Sequence, residues 1–228
     1  MDPSATIYTK LMLRLYDLIV LVLSNALAWR CATRGTLLPF YQQHIGESAH
    51  LEIGVGTGYY PAASRARLAK LKTLTFLDLN PNTLAHAQRR LASGGFRGPQ
   101  VAAVEQSVFD PFPGGMGGTF DSVALFYLFH CLPGAFPKKG ADVFARVAPV
   151  LAPGGVVFGS TILGQGVEHN WLGGRLMKWH NGTGVFSNSE DGEKGLREAL
   201  EDAFEEHTIQ VVGVVALFSA RGPRNLRP

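Results

Sequence analysis

The chain has 228 residues, of which 46% are hydrophobic and 17% charged, and its formal net charge is +3. This composition predicts an ordinary globular protein and excludes the disordered and coiled-coil classes. Part of the basic excess lies in the tail at Arg221, Arg224 and Arg227, so we expect no clustered face for a nucleic acid. The two cysteines, Cys31 and Cys131, are too few and too far apart for a disulfide scaffold or a metal site. They fit a reducing compartment, and we expect a cytoplasmic protein.

The segment from Leu11 to Trp29 is nearly long enough to span a membrane, but it contains Arg14 and Asp17. Each charge is costly at the bilayer centre, so we expect no stable membrane insertion. The segment also lacks the basic start of a signal peptide. We predict a helix that protein covers on most of its circumference. Its polar stripe, which contains Lys10, Arg14, Asp17 and Ser24, is either a solvated face or the side of a cap that turns towards a ligand cleft.

Residues 34–45 predict a second helix, and the stretch AHLEIGVGTGYY at 49–60 predicts a strand that runs into a tight loop. Gly54, Gly56 and Gly58 tolerate positive φ and leave the main chain open to a ligand. A dinucleotide fingerprint would place its last glycine one position later, where Tyr59 stands. The spacing therefore favours an adenosine ligand without a diphosphate.

The next elements predict a strand-helix-strand unit. Pro61 is suited to the first turn of a helix that continues to Leu71, and residues 73–79 form a β-rich apolar run. Asp78 at the end of this run lies twenty residues beyond Gly58, the distance at which such a unit returns a carboxylate to the ribose of the ligand. The alternative is that Asp78 only begins the turn before Asn80.

Further elements follow in alternation. The sequence predicts strands at 101–108, 120–129 and 156–162, helices at 82–91, 141–151 and 195–204, and two final strands within 208–219 if Gly213 marks a break. Residues 163–190 are rich in glycine, asparagine, tryptophan and histidine, and they match neither a clean strand nor a clean helix. We expect this segment to be a lid or a substrate wall. One domain is predicted, with a helical cap at 1–47 and a cofactor-binding α/β core at 48–228.

Glu52, Gly54, Gly56 and Gly58 resemble motif I of the class I S-adenosylmethionine-dependent methyltransferases. The resemblance covers residues 48–221 and implies a Rossmann-like, doubly wound, mostly parallel seven-stranded sheet. It also implies that S-adenosylmethionine is the cofactor and S-adenosylhomocysteine the product. Tyr16-Asp17, Asn25 and Trp29-Arg30 also resemble the segment before motif I in the methyltransferases of quinone biosynthesis, with a shorter spacing between the two halves. This second resemblance adds only Tyr16 as a cofactor contact.

The same resemblance implies the remaining cofactor contacts. Leu79 and Phe126 are predicted to contact the cofactor because they lie at the ends of the second and fourth strands. The family usually has an acidic residue for the adenine amino group at the end of the third strand, and this sequence has Gln106, Ser107 and Val108 there. The missing acid leaves open whether Gln106 or Ser107 holds the adenine.

Methyl transfer is an in-line displacement, so the protein mainly aligns donor and acceptor and excludes water. His130, after the fourth strand, is the candidate general base because imidazole titrates near neutral pH. The alternatives are that His130 is a structural histidine, or that His169 or His180 serves as the base. The segment 163–190 and the fourth strand supply the candidate substrate contacts, which are Tyr127, His169, Trp171, Trp179 and His180.

These features predict an enzyme that methylates an O, N or C atom of a small, largely apolar molecule, such as a secondary metabolite. A second hypothesis is a methyltransferase-fold cyclase that uses the bound cofactor without transferring its methyl group. A third is a cofactor-binding partner subunit without activity.

Overall fold

The computed structural model describes residues 17–224, with side chains from residue 23 onward. The predictions for Lys10, Arg14, Tyr16 and the side chain of Asp17 therefore lie outside the described residues. Within the described part of the chain, no helix is long and apolar enough to cross a bilayer.

The described strands form one seven-stranded sheet with the order β3-β2-β1-β4-β5-β7-β6. Every neighbouring pair from β3 to β5 is parallel, whereas β7 runs antiparallel to both β5 and β6. The strands are β1 (Ala49–Ile53), β2 (Thr73–Asp78), β3 (Val101–Glu105), β4 (Phe120–Phe126), β5 (Leu151–Ile162), β6 (Phe204–Val212) and β7 (Val215–Pro223). The order reverses between β1 and β4, so their carboxyl ends flank the crevice where ligands bind in such sheets.

The helices are α1 (Asp17–Ala28), α2 (Leu38–His44), α3 (Tyr59–Ala63), α4 (Arg65–Leu68), α5 (Pro81–Ser93), α6 (Lys138–Val147), α7 (Trp171–Gly182) and α8 (Glu193–Ala203). The turns of α1 are of the wider π type, and a further π segment, Thr33–Leu37, leads into α2. Short 3₁₀ turns lie at Phe129–Cys131 and Ala148–Val150.

Two buried apolar clusters cover the two faces of the sheet. Helices α6 and α8 supply the helical part of one cluster. The other contains residues of α1, α2, α4, α5 and α7. The central strand β1 is buried at every position, as expected for a parallel strand that is covered on both faces. The predicted doubly wound, mostly parallel seven-stranded fold is thus confirmed, and so is the break at Gly213 between two final strands.

Several element boundaries differ from the sequence predictions. The helix predicted from Pro61 to Leu71 is two short helices, α3 and α4. The third strand ends at Glu105 instead of Val108, because its only partner among the described strands, β2, ends at Asp78, which pairs with Glu105. The prediction for residues 163–190 was wrong in one respect, since α7 occupies 171–182.

The reason for α7 lies in its contacts, which override its low intrinsic helix propensity. The Asn170 side chain accepts a hydrogen bond from the backbone N–H of Gly173 at 2.7 Å and thereby caps the helix. A Cβ atom on Gly173 would lie 2.9 Å from the carbonyl oxygen of Ala28, so this glycine allows α7 to pack closely against α1.

Candidate active site

The loop after β1 carries the three glycines in left-handed conformations, with φ angles of 71° at Gly54, 52° at Gly56 and 68° at Gly58. A Cβ atom on Gly58 would lie 2.8 Å from Ala87 of α5, so this glycine allows the loop to pack on that helix. A Cβ atom on Gly56 would meet no atom within 4 Å. The main chain at Gly56 therefore faces open space, where a ligand can lie against it.

Glu52 lies beneath this loop and is only 2% exposed. Its Oε2 atom accepts a hydrogen bond from the hydroxyl of Tyr41 at 2.6 Å and lies 3.1 Å from Nε2 of His50. A carboxylate only accepts hydrogen bonds, so this geometry assigns the imidazole proton to Nε2. Burial and the Glu52 carboxylate raise the pKa of Tyr41 well above its usual value, which keeps its hydroxyl a donor. Both bonds reach Oε2, and Oε1 is the oxygen available to a ligand.

Asp78 stands at the carboxyl end of β2, opposite the glycine loop. Its Oδ1 accepts the backbone N–H of Asn80 at 2.9 Å, and its Oδ2 lies 3.5 Å from the backbone nitrogen of Gly56. The turn contact thus exists, but it occupies one oxygen only. The other oxygen faces the backbone N–H of Gly56 in the glycine loop.

A cavity of about 300 Å³ extends from these carboxylates across the carboxyl ends of β1 and β4. The glycine loop and Asp78 lie at one end of it, with Phe126 and Tyr127 at the end of β4. The other walls come from α1, the turn after β4 and the segment around the end of α7, with Asn25, Trp29, His130, His180, Val185 and Phe186.

The end of the cavity away from Asp78 is aromatic. The ring of Phe186 lies between two imidazoles, 4.5 Å from His130 in an edge contact and 4.3 Å from His180 in a stacked contact. Trp29 packs against the same ring at 6.3 Å. The backbone N–H of Ser187 donates to the carbonyl of His130 at 2.8 Å, which holds this segment against the turn after β4.

Both cavity histidines are neutral at physiological pH. Burial and, to a smaller extent, the positive charge of Lys139 lower the pKa of His130 from 6.5 to about 3. Burial also lowers the pKa of His180. The Nδ1 atom of each ring is buried without a hydrogen-bond partner among the described residues.

Tyr127 connects β4 to the cap. Its φ angle is 53°, an uncommon conformation for a residue other than glycine, and its backbone N–H donates to Ser160 on β5 at 2.8 Å. Its hydroxyl donates to Oδ1 of Asn25 on α1 at 3.0 Å. The backbone strain is compatible with a functional site, where such outliers concentrate.

Leu79, predicted as a cofactor contact, is 70% exposed beside Asp78 and does not line this cavity. The residues predicted at the adenine, Gln106, Ser107 and Val108, do not line it either. The amide nitrogen of Gln106 donates to the carbonyls of Asp110 and Pro111, and Ser107 accepts the backbone N–H of Phe109, so both side chains support their own turn. Val108 is buried in the core. Their contacts with the adenine stay a prediction.

The predicted substrate contacts divide into two groups. Tyr127 and His180 line the cavity. His169 instead bonds the carbonyl of Leu163 at 2.9 Å through Nε2, and the side chains of Trp171 and Trp179 are 76% and 60% exposed. The last two are directed to the surface because the buried side of α7 consists of Gly173 and Met177.

Among the cavity residues that the sequence analysis did not propose as site residues are Asn25, Trp29, Tyr60 and Phe186. Two signals were present. Tyr60 directly follows the glycine loop, and Phe186 is an aromatic residue inside the predicted lid. The hydroxyl of Tyr60 is buried without a partner among the described residues, which marks it as a polar group available to a ligand.

Comparisons with known proteins agree with this geometry. A family model described as "Methyltransferase domain" matches residues 51–157. The methyltransferase verB of Penicillium polonicum is 40% identical over 234 residues, which cover 98% of this chain and all of that protein. The "Physcion biosynthesis cluster O-methyltransferase" of Aspergillus chevalieri is 40% identical over 223 residues, which cover 98% of this chain and 96% of that protein.

Solved structures share the fold. The N-methyltransferase NodS from Bradyrhizobium japonicum, solved with S-adenosyl-L-homocysteine, superposes with a TM-score of 0.57 at 18% identity. The match covers 82% of this chain and 84% of that one.

Proposed function

Because this chain belongs to the class I S-adenosylmethionine-dependent methyltransferases, it is an enzyme that binds S-adenosylmethionine, and we propose that its acceptor is a hydroxyl oxygen of a small, largely apolar molecule. The observation that supports the acceptor class is the cavity, which joins the glycine loop and its two carboxylates to an aromatic end with two neutral imidazoles. Such a mostly apolar cavity with few polar groups is typical of small-molecule sites.

The residues at the glycine loop fit the cofactor. The exposed main chain at Gly56 has room for the ligand, Oε1 of Glu52 can accept from its amino group, and Oδ2 of Asp78 can accept from a ribose hydroxyl. When bound, S-adenosylmethionine supplies an electrophilic methyl group on a cationic sulfur.

The aromatic end fits the acceptor. Phe186 and Trp29 form apolar walls against which a flat molecule can stack. His130 and His180, neutral at physiological pH, each offer one nitrogen lone pair to the acceptor hydroxyl. Because the pKa of His130 is about 3, we infer that this ring mainly orients the hydroxyl and is a weak base on its own.

The relatives support oxygen as the acceptor atom, since one of them is named an O-methyltransferase of a biosynthesis cluster. We therefore propose a secondary metabolite as the acceptor. Both cysteines are free, which supports our proposal of a cytoplasmic enzyme. No observation in the described part of the chain favours the cyclase hypothesis.

The cofactor contacts are tested by calorimetry with S-adenosylhomocysteine. We expect Asp78→Ala to weaken binding by roughly 10- to 100-fold, because it removes charge-assisted hydrogen bonds. Gly56→Val, at a φ of 52°, is expected to abolish binding through backbone strain and a blocked approach. The matched controls are Asp110→Ala, an exposed carboxylate off the cavity, and Gly114→Val, where a Cβ meets open space. Unchanged affinity in both site variants would contradict the assignment.

The acceptor is tested by incubating the wild-type enzyme with S-adenosylmethionine that carries a labelled methyl group. The candidate acceptors are matched sets of naphthalenes that carry a hydroxyl group, an amino group or no substituent at the same position. We expect label only in the hydroxylated compounds, with S-adenosylhomocysteine released in equal amount. Transfer to the amines alone would overturn the oxygen assignment.

A further inference from the structure

A second feature of the molecule lies outside the cavity, on the outer side of α1 and α7. We call it the tryptophan face; its residues are Leu23, Leu27, Trp171, Leu172, Arg175, Lys178 and Trp179. The exposed fractions are 76% for Trp171, 60% for Trp179, 58% for Leu27 and 46% for Leu23. The sequence predicted protein cover on most of the first helix, and for residues 23–28 this prediction is wrong. Large apolar side chains grouped in this way mark an interaction surface.

The two helices hold the face as one surface. The Asn170 side chain donates to the carbonyl oxygen of Leu27 at 2.7 Å while it caps α7. The close approach of Gly173 to the carbonyl of Ala28 leaves no gap between the helices. The apolar residues of α1 and α7 therefore present a shared surface.

The outer side of α7 combines two chemical types. Residues 171, 175, 178 and 179 recur at helical spacing opposite the buried side of the helix. The guanidinium of Arg175 lies 5.2 Å from the ring centroid of Trp171. The helix contains Arg175 and Lys178 but no acidic side chain. Tryptophan beside Arg and Lys, on a helix that lies flat on the protein, is the composition of interfacial membrane helices.

The mouth of the acceptor cavity adjoins this face. Val185, three residues after α7, is 47% exposed and also lines the cavity. Ser24, next to Leu23 on α1, lines the same cavity. An apolar molecule dissolved in a bilayer would thus meet the cavity where the face meets the lipid.

We propose that the tryptophan face docks on the surface of an anionic lipid bilayer. The tryptophan rings and the two leucines of α1 enter the interfacial layer, and Arg175 and Lys178 pair with lipid phosphates. Charge complementarity favours this occupant over a second copy of the chain, because two copies of the face would bring their cations together. The docking itself does not depend on which atom the enzyme methylates.

The experiment is flotation of the purified full chain with phosphatidylcholine vesicles, with and without phosphatidylglycerol, at low and high salt. We expect binding to the phosphatidylglycerol vesicles that weakens with salt. The variant Arg175→Glu/Lys178→Glu should lower the partition coefficient at least about tenfold, since each basic residue near the surface contributes about fivefold. We expect a loss of at least about tenfold for Trp171→Ser/Trp179→Ser as well, because it removes the rings that enter the interfacial layer. The matched control is Lys70→Glu/Lys72→Glu, an exposed pair elsewhere with the same change in charge.

Circular dichroism and S-adenosylhomocysteine affinity show whether each variant is folded, separately from docking. The proposal is overturned if the folded wild-type chain does not float with anionic vesicles, or if the control pair matters as much as Arg175 and Lys178. It is also overturned if the tryptophan variant floats like the wild type. Loss of a dimer in the tryptophan variant, seen by light scattering without any vesicle binding, would assign the face to a second copy.

Discussion

At the scale of single residues, the charge state of His130 results from its surroundings. The ring is 4% exposed, contacts Tyr127 and Phe186, and lies near the cation of Lys139. Burial first, and then the charge of Lys139, lower its pKa to about 3, whereas an unfolded chain restores the ordinary value of 6.5. The ring proposed to orient the acceptor is therefore also a point of acid sensitivity.

Between pH 6.5 and pH 3 the unfolded chain protonates His130 but the native protein does not. The free energy of unfolding must then fall as the pH is lowered through this range, by at most about 1.4 kcal/mol per pH unit for one proton. We expect His130→Gln to flatten this loss, and urea unfolding at several pH values measures it. The variant should still lose some stability as the pH falls, because the pKa values of His180 and His44 are also lowered in the native protein. His207→Gln on β6 is the control, and equal slopes for His130→Gln and the wild type would refute the argument.

At the scale of elements, one buried ion pair connects α6 to the segment that follows α7. Nζ of Lys139 donates to Oδ2 of Asp191 at 2.6 Å and to the carbonyl of Ser187 at 2.9 Å, and both side chains are fully buried. Burial lowers the pKa of Lys139 and raises that of Asp191, and the pair opposes both shifts. The backbone of Ser187 also bonds His130, so this pair holds the wall of the cavity in place.

We expect Lys139→Met to lower the free energy of unfolding by about 3–5 kcal/mol, because it leaves the Asp191 carboxylate buried and unpaired. The double variant Lys139→Met/Asp191→Leu should recover much of this loss, since it removes both charges. Lys138→Met is the matched control, because its ion pair with Asp142 is on the surface and contributes at most about 1 kcal/mol. Urea unfolding of the three variants is the measurement. A double variant no more stable than Lys139→Met would contradict a role for the unpaired charge.

At the scale of the whole molecule, the proposed cofactor site joins parts that are distant in sequence. Glu52 lies in β1, Gly56 follows β1, Asp78 ends β2, and Phe126 ends β4. The positions of these residues relative to one another depend on the pairing of the strands. A ligand that contacts all of them therefore binds only the native fold. Binding must therefore raise the thermal stability of the entire sheet.

At a concentration one hundred times its dissociation constant, S-adenosylhomocysteine should add about 2.7 kcal/mol to the free energy of unfolding. For a chain of this size that corresponds to a rise in Tm of roughly 5–10 °C. Scanning calorimetry measures the shift. The same concentration should add only about 0.4–1.4 kcal/mol to Asp78→Ala, because its dissociation constant is 10- to 100-fold larger. A wild-type Tm that does not move at saturating ligand would contradict a site built across the three strands.

The sequence predicted the cofactor end of the site because its signals are local. The positive φ angles of Gly54, Gly56 and Gly58 depend on the absence of a Cβ, and the spacing to Asp78 follows from the length of one strand-helix-strand unit. The alternation of apolar runs predicted the sheet in the same way, including the break at Gly213. The family, the enzyme class and the cofactor were predicted correctly on this basis.

The acceptor end was less predictable, since it is assembled from segments far apart in the chain. Trp29 of the cap and Phe186 of the lid meet only in the tertiary structure. The aromatic residues that the sequence predicted as substrate contacts, Trp171 and Trp179, face outward instead. The division into one domain with a helical cap stays a prediction. The roles of the individual site residues also stay predictions, which the binding experiments test.

The sequence by itself thus determined the alternation of strands and helices, the glycine loop and, through the family resemblance, the donor molecule, because these depend on periodicity, turn geometry and short spacings. Only the tertiary structure decided which aromatic residues face the cavity and which face solvent. The physical reason is that the packing of α7 on α1 through Gly173, and not the composition of residues 163–190, sets the direction of every side chain on that helix.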